Sequence, residues 1–333
     1  IDVNQQRIVA EYGRETQAMN KSITHMTWAH PNVEDEVMFA RRDGTIESVM
    51  PFLNLPVVSS EENYDGENNS SNNDSEDDEN GDGGGEKKKA LLPITQLESN
   101  FVINRFQFFE ENKKPEASIC GLYSENISES RRNVYCVTEK GKFEMYTIEN
   151  YRTNDESQRT ISLSKKIENF SEGTHVHKMI GTKINESTTE LAYGGKNSLL
   201  KIYDVNAGKC TFRAQNDPKT DKSLQLREPV YVRDICYMNL KENYGQIVCI
   251  ATGYGQVRFY DRRASRLPFL TKKLSESAFS CIDASPIREK EVIAGGTMGG
   301  LHRVDYSTSQ TGRKNFVFKG MAGAVTQVQY HAS

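Results

Sequence analysis

The stretch ELAYGGKNSLLKIYDV, residues 190–205, reads as two apolar strands joined by a short polar turn, and its second strand ends in an aromatic–acidic pair. Four other stretches repeat this unit: EVMFARRDGTIESV at 36–49, NVYCVTEKGKFEMYTI at 133–148, IVCIATGYGQVRFYD at 247–261 and EVIAGGTMGGLHRVDY at 291–306. Their strand segments are rich in Val, Ile, Tyr and Phe, and glycine near the turn supplies the positive φ that a tight hairpin needs. No stretch shows amphipathic helical spacing of comparable strength, so the sequence predicts an all-β chain.

The spacing of these units indicates the architecture. The turn residues Gly255 and Gly299 are 44 residues apart, within the ~40–45-residue period of WD-type propeller blades. The other intervals are longer: 97 residues from Gly44 to Gly141, 56 from Gly141 to Asn197, and 58 from Asn197 to Gly255. Further strand-like segments precede and follow most hairpins, and four strands per unit is the blade of a WD40-type β-propeller. A β-sandwich of regular hairpins is the alternative, and the repeated aromatic–acidic pairs favour the propeller.

Charge is distributed unevenly along the 333 residues, which have 42 Lys and Arg against 46 Asp and Glu. Residues 59–85, SSEENYDGENNSSNNDSEDDENGDGGG, hold ten acidic and no basic residues, so the other 306 residues have a net charge of about +6. This composition cannot bury enough apolar surface to offset the entropy of ordering. We therefore expect a single propeller over residues 1–333, with a disordered acidic low-complexity loop at 59–89 inserted between blades.

The two ends of the sequence look like parts of further blades. AVTQVQYHAS at 324–333 reads as the first strand of another blade, and RIVAEYG at 7–13 reads as an outer strand. A propeller closes on itself, because an open one leaves unpaired strand edges. We therefore expect a longer protein from which pieces are missing here at both ends.

Catalytic and metal-binding patterns are scarce. There is no G-x-S-x-G elbow, P-loop or H-E-x-x-H motif, and the glycine pairs lie within hairpins, where a turn is the better interpretation. His175 and His177 share a strand face but have no third ligand at local spacing. The six cysteines are widely spread, which favours reduced thiols in an intracellular compartment, and no apolar run approaches the ~20 residues of a membrane span. The sequence predicts no enzymatic activity, cofactor, metal, small-molecule substrate or membrane contact.

Candidate binding residues concentrate around the hairpins at 190–205 and 247–261. The polar segment AQNDPKTDKSLQLREP at 214–229 is a long connection between blades, and such loops often carry binding function. The expected partner-binding residues are Lys196, Asn197, Arg213, Asn216, Asp217, Arg227, Arg233 and Tyr254. Because Arg forks match phosphate geometry, possible RNA or phosphate contacts are Arg258, Arg262, Arg263 and Arg266. A solvated charged face is the alternative for these arginines, and Asp204, Asp261 and Asp305 are interpreted as structural.

Several motifs occur together in one order: GGKNSLLKIYDV at 194–205, FRAQND at 212–217, LREPVYVRDI at 226–235, TGYGQVRFYD at 252–261 and GAVTQVQYHAS at 323–333. In this order they resemble the Nop-seven-associated protein family, nucleolar WD-repeat assembly factors of the large ribosomal subunit. The resemblance is strong over 190–333 and weak before it. The usual Trp of the WD pair is replaced by Tyr203 and Tyr260, which keeps an aromatic filler between blades.

The resemblance implies a seven-bladed propeller in the full-length protein and a non-enzymatic scaffold role in nucleolar pre-60S biogenesis and rRNA processing. The implied partners are other large-subunit assembly factors, the pre-ribosomal particle with its protein and possibly its rRNA, and an AAA-type ATPase for release. The implied location is the nucleus and nucleolus. The alternative function is that of a WD-repeat adaptor or substrate receptor in a ubiquitin-ligase or chromatin complex.

Overall fold

The strands form four-stranded antiparallel blades, and each hairpin supplies the second and third strands of one blade. The structure is a computed structural model that describes residues 23–30, 33–49, 103–107, 118–152, 156–216, 229–238, 245–306, 316–318 and 321–330. All of them belong to one compact unit, Thr16–Val49 with Val102–Ser333. The predicted acidic loop at 59–89 and the predicted outer strand at 7–13 lie outside the described residues.

Five blades are described: blade 1 is β1–β4, blade 2 is β5–β8, blade 3 is β9–β12, blade 4 is β13–β16 and blade 5 is β17–β20. The strands are β1 Ile23–His30, β2 Val33–Arg41, β3 Thr45–Val49, β4 Ile103–Gln107, β5 Ile119–Asn126, β6 Arg131–Thr138, β7 Phe143–Glu149, β8 Thr160–Ile167, β9 Lys178–Asn185, β10 Thr188–Gly195, β11 Ser198–Asp204, β12 Lys209–Arg213, β13 Val232–Tyr237, β14 Ile247–Thr252, β15 Gln256–Asp261, β16 Leu270–Lys273, β17 Phe279–Ala284, β18 Glu291–Gly296, β19 Leu301–Asp305 and β20 Phe316–Phe318. Blades 2 and 3 join in one eight-stranded sheet through a parallel bridge between Gly121 and Met179. The helical content of the described residues is one 3-10 turn, Glu156–Gln158, so no described helix could cross a membrane, and the expected β architecture is confirmed.

The five hairpin turns share one backbone requirement. Four of them place a glycine in the left-handed region, for example Gly255 at φ 69°, where an added Cβ would lie 1.8 Å from the carbonyl oxygen of Ser275. In the blade 3 turn, Asn197 takes the same conformation at φ 58°. Asparagine tolerates this region better than most residues, so the turn forms without glycine at that position.

The first strand of four blades begins with a β-bulge, a single extra residue opposite its partner strand. The register shifts between Ile23 and His25, and equivalent shifts occur in β5, β13 and β17. A bulge increases local twist and redirects the extra side chain. In blade 4 that extra residue is Arg233.

Apolar cores fill the spaces between adjacent blades. The core between blades 4 and 5 contains Phe259 and Phe279, both with no exposed surface. The tyrosines that stand where a WD pair has Trp behave as expected. Tyr260 is fully buried 6.3 Å from Phe212 of blade 3, and Tyr203 packs edge-on against Phe170 at 5.0 Å between ring centroids. An aromatic ring at this position therefore does pack one blade against the next.

Buried carboxylates connect successive blades as well. Glu36 of blade 1 accepts from Arg132 of blade 2 at 2.6 Å, and both side chains are almost completely buried. Glu190 of blade 3 forms a bidentate pair with Arg262 of blade 4, at 2.6 and 2.7 Å. The Asp234 carboxylate of blade 4 accepts a hydrogen bond from the backbone N–H of Ile282 in blade 5 at 2.9 Å. These contacts fix which edge of one blade meets which edge of the next.

Removing one partner of the Glu190–Arg262 pair should destabilise the fold strongly. The substitution Glu190→Gln leaves the Arg262 guanidinium, 13% exposed, without its counter-charge, which should lower the free energy of unfolding by about 3–5 kcal/mol. The measurement is urea unfolding monitored by far-UV circular dichroism. The control is Glu276→Gln, which removes an ion pair between Glu276 and Lys273. The Glu276 carboxylate is 95% exposed, so this variant should change the free energy of unfolding little. Equal losses for the two variants would contradict the structural role of the buried pair.

The segment at 321–330 lies along blade 5. The Val325 N–H donates to the carbonyl of Gly296 at 3.1 Å, and the Tyr330 N–H donates to the Asp283 carboxylate at 2.7 Å. The segment thus follows β17 as an inner strand would, although its residues are not themselves paired into a regular strand. Burial raises the pKa of Asp283 to about 6, and the N–H groups of Tyr330 and Ala284 oppose that rise in part.

The raised pKa of Asp283 predicts a pH dependence with a definite sign. Between about pH 4 and pH 6 the folded state binds this proton more tightly than the unfolded state, so the contribution of Asp283 to stability falls as pH rises, by on the order of 3 kcal/mol. The variant Asp283→Asn lacks this contribution. In urea unfolding, its free energy of unfolding minus that of the unmodified chain should therefore increase from pH 4 to pH 7. The variant Asp261→Asn should show no such growth between pH 4 and pH 7, because Arg263 lowers the pKa of Asp261 and the pH-dependent contribution of this group therefore lies below about pH 4. Parallel pH profiles for the unmodified chain and Asp283→Asn would refute the assignment.

Candidate interaction face

The turns of the hairpins and the connections between blades lie at the same end of their blades, and this end is called here the hairpin face. It comprises the turns at 42–44, 139–142, 196–197, 253–255 and 297–300 and the described parts of the connections. Backbone hydrogen bonds join them: the Leu274 N–H donates to the carbonyl of Gly255 at 2.9 Å, and the Thr297 N–H donates to that of Ala278 at 3.0 Å. The face is therefore held by backbone contacts, and its side chains are positioned on fixed turns.

Tyr231 organises the hairpin face between blades 3 and 4. Its backbone bridges Lys196 of the blade 3 turn, and its carbonyl accepts from the Gly253 N–H of the blade 4 turn at 2.8 Å. Its hydroxyl accepts from the Arg233 guanidinium at 2.9 Å, and that guanidinium lies 5.2 Å from the ring centroid. The His177 ring meets the same ring edge-on at 5.3 Å. Tyr231 was not singled out from the sequence, where a lone aromatic in a long connection gives no sign of this role.

Three of the predicted partner-binding residues lie exposed at turn tips. Lys196 and Asn197 form the exposed tip of the blade 3 hairpin, and Tyr254 is 39% exposed at the tip of the blade 4 hairpin. The Tyr254 carbonyl accepts from the Lys273 ammonium at 3.0 Å, which ties the turn to the outer strand. Sequence analysis missed two neighbouring residues, Met298 and Met321, which are 78% and 46% exposed. A methionine at a predicted turn tip, as in TMGG, is the signal that could have found Met298.

The predicted residue Arg213 is exposed but already paired. Its guanidinium forms a bidentate ion pair with Glu172, and the Lys201 ammonium lies 3.1 Å from the same carboxylate. Hydrogen bonding from Arg213, followed by that from Lys201, lowers the pKa of Glu172 to about 2. The cluster of these three residues holds the connection from blade 2 to blade 3, and the charge of Arg213 is largely balanced within the chain.

The four arginines expected to contact phosphate do not form one basic surface. Arg258 is only 1% exposed and donates to Asn216 at 2.8 Å and to Gln256, so it cannot make an exposed phosphate contact. Arg262 is bound in the pair with Glu190, and Arg263 pairs with Asp261 at 2.9 Å. Arg266 is exposed, and Arg262, Arg263 and Arg266 follow the end of β15 that lies away from the hairpin face. The predicted phosphate contact is therefore corrected for the buried Arg258, whereas for the exposed Arg266 it stays a prediction.

The remaining predicted residues occupy different positions. Asn216 is part-buried and holds Arg258, whereas Arg233 is part-exposed beside Tyr231. Asp217 and Arg227 lie outside the described residues, as does most of the segment at 214–229. Two of the acidic residues interpreted as structural accept hydrogen bonds from the backbone of the following turn. Asp204 accepts from the Ala207 N–H at 2.8 Å, and Asp261 accepts from the Arg263 N–H at 3.0 Å.

The two histidines predicted to share a strand face lie near the hairpin face. Burial, together with the charges of Arg233 and Lys178, lowers the pKa of His177 to about 4, so the imidazole is neutral at pH 7. His175 is exposed. Within the described ranges, no group of three His, Cys, Asp or Glu side chains has the arrangement of a metal site.

Comparisons with known proteins bear on the fold. No protein-family model matches the chain. It is 27% identical over 180 residues to a WD repeat-containing protein of Dictyostelium discoideum, covering 54% of this chain and 33% of that protein. The fold is similar to that of Raptor from Chaetomium thermophilum, with a TM-score of 0.57 and 12% identity over 91% of this chain and 21% of the Raptor chain.

The chain thus spans about a third of the curated relative and about a fifth of the Raptor chain. Repeated four-stranded blades, aromatic fillers between them and the similarity to a WD repeat-containing protein all agree. The chain has the fold of a WD40-type β-propeller and is similar in sequence to a WD repeat-containing protein.

Proposed function

We propose that this chain is a non-enzymatic scaffold that uses its hairpin face to hold partner proteins within a larger assembly. The observation that carries the proposal is a set of exposed side chains, three on the hairpin turns of blades 3 to 5 and one in the segment that follows blade 5. They combine one cation with three apolar or aromatic groups, Lys196, Tyr254, Met298 and Met321. Aromatic residues and methionine are enriched in protein interfaces, and exposed apolar groups on fixed turns lose little entropy when a partner covers them.

The buried charged groups of the blades support a scaffold in preference to a catalyst. Glu36 and Glu190 are bound by arginines of the next blade, and Glu125 accepts hydrogen bonds from Tyr135 and, at 2.8 Å, from Thr189. Each of these carboxylates is satisfied by a partner within the fold. Their role is to hold blades together, and none lies exposed on the hairpin face.

We further propose that the assembly is a nucleolar precursor of the large ribosomal subunit, where the chain contributes to pre-60S maturation and rRNA processing. The support is the resemblance of residues 190–333 to the Nop-seven-associated protein family, including FRAQND, LREPVYVRDI and TGYGQVRFYD in that order. The partners under this proposal are other assembly factors, the proteins and rRNA of the particle, and an AAA-type ATPase that releases the chain. The net charge of about +6 outside the acidic segment suits contact with such a particle.

A three-residue variant of the hairpin face tests the scaffold proposal. Lys196→Glu, Tyr254→Ala and Met298→Asp together should reduce recovery of partner proteins by about tenfold or more, because each removes an exposed group from the interface. The measurement is affinity purification of the tagged full-length protein, followed by quantitative mass spectrometry and gradient sedimentation. Recovery of ribosomal precursors is expected for the unmodified protein, whereas ubiquitin-ligase or histone-modifying subunits in their place would overturn the ribosomal proposal.

The matched control places three substitutions away from the hairpin face. Leu163→Ala lies on the outer strand of blade 2, and Lys209→Glu and Ile287→Asp lie at the opposite ends of their blades; all three residues are exposed. This variant should keep its partners and the same melting temperature as the first variant. If it loses the partners while the hairpin-face variant keeps them, the interaction surface is assigned to the wrong side.

A further inference from the structure

Arg233 lies on the hairpin face and forms no ion pair with any of the residues that the structure describes. Arg233 is the extra residue of the blade 4 bulge, and the bulge directs it toward the hairpin face beside Tyr231. One guanidinium nitrogen, Nη1, donates to the Tyr231 hydroxyl at 2.9 Å. Nε is shielded from water and has no hydrogen-bond acceptor, and no carboxylate of the described residues contacts the guanidinium. The Nε–Nη2 edge of this guanidinium is thus held in place with its hydrogen-bonding capacity unused.

Among the described residues around Arg233, the charges of Lys178 and Asp234 are paired with each other, with 3.3 Å between the ammonium and the carboxylate. His177 is neutral at pH 7 because burial and the charges of Arg233 and Lys178 lower its pKa to about 4. The charge left over belongs to Arg233. An unsatisfied, shielded N–H costs free energy that an incoming acceptor would recover.

We propose that Arg233 is the receptor for a carboxylate, supplied by an Asp or Glu side chain of the partner protein that docks on the hairpin face. The Nη2 group donates to one carboxylate oxygen, and a shift of the atoms that shield Nε lets this group donate to the other oxygen, which completes a planar fork that arginine forms and lysine cannot. Tyr231 holds the guanidinium in position through its hydroxyl and its ring. The His177 ring contacts the same tyrosine ring edge-on, with 5.3 Å between the ring centroids.

The observations favour an acidic peptide over RNA. A single carboxylate carries one negative charge, which matches the charge of Arg233. Single-stranded RNA would be expected to stack a base on an aromatic ring, but the Tyr231 ring is already in contact with Arg233 and His177, and the Gly253 backbone packs against it. The arginines once expected to contact phosphate are buried, paired or at the far end of the blade. The site therefore lacks the free aromatic ring on which a single-stranded nucleic acid would stack a base.

This inference rests on the proposed function only for the identity of the partner, since the site itself can be tested on the isolated protein. The probe is the tripeptide acetyl-Gly-Glu-Gly-amide, and its uncharged match is acetyl-Gly-Gln-Gly-amide. The chain has six histidines, so the imidazole resonances of a histidine-labelled sample can be followed by NMR during titration. The Glu peptide should shift the His177 resonance and raise its pKa, because an anion joins the cations Arg233 and Lys178 that face it. The Gln peptide should not.

Two arginine variants make the test specific. Arg233→Gln should weaken the Glu-peptide response by about tenfold or more, and Arg233→Lys should restore only part of it because the fork is lost. Arg266→Gln, an exposed arginine away from the hairpin face, should respond like the unmodified protein. No His177 response to the Glu peptide in the unmodified protein, or an equal response in Arg233→Gln, would overturn the proposal.

A decamer of uridylate distinguishes the nucleic-acid alternative. If it shifts His177 at lower concentration than the Glu peptide, the site is a phosphate site and the carboxylate assignment is wrong. The affinity purification described above can fail while this titration succeeds, because the titration needs no ribosomal particle. A failure of the ribosomal proposal is therefore separable from a failure of the Arg233 site.

Discussion

The contacts that cross from one blade to the next are the constraint on which the rest of the structure depends. A blade is only four strands wide, and it gains a full core only when its neighbours cover it with side chains such as Phe259 and Phe279. Apolar packing alone would let one blade shift relative to the next. The pairs Glu36–Arg132 and Glu190–Arg262 prevent this shift, because a buried charge must contact its partner.

Fixed blades in turn fix the hairpin face. Its turns are bonded through backbone groups to the connections on either side, so a side chain at a turn tip has a defined position relative to the next blade. Tyr231 illustrates this, because its backbone joins two turns and its ring and hydroxyl hold Arg233. Recognition by such a surface requires no moving part, which suits a scaffold.

The sequence predicted what local pattern determines and missed what distant residues determine. Hairpins, their turns and the exposed tips Lys196 and Tyr254 follow from strand-forming residues around a positive-φ position. Arg213 and Arg262 were interpreted as available cations, but their partners lie 41 and 72 residues away, and no local pattern marks those pairings. Arg258 was misplaced for the same reason, because its burial depends on Asn216 from a preceding blade. Arg233, which is part-buried, was predicted from its charge, but its position in a bulge and its contact with the Tyr231 ring are seen only in the fold.

Cross-linking mass spectrometry of the purified assembly tests the central claim most directly, because lysines are spread over both ends of the blades. Lys140, Lys196 and Lys273 lie exposed on the hairpin face or next to it, whereas Lys209 and Lys290 lie exposed at the opposite ends. With an amine-reactive cross-linker, the account predicts that links to other proteins concentrate on the first three. Links concentrated on Lys209 and Lys290, with Lys140 and Lys196 unlinked, would contradict it.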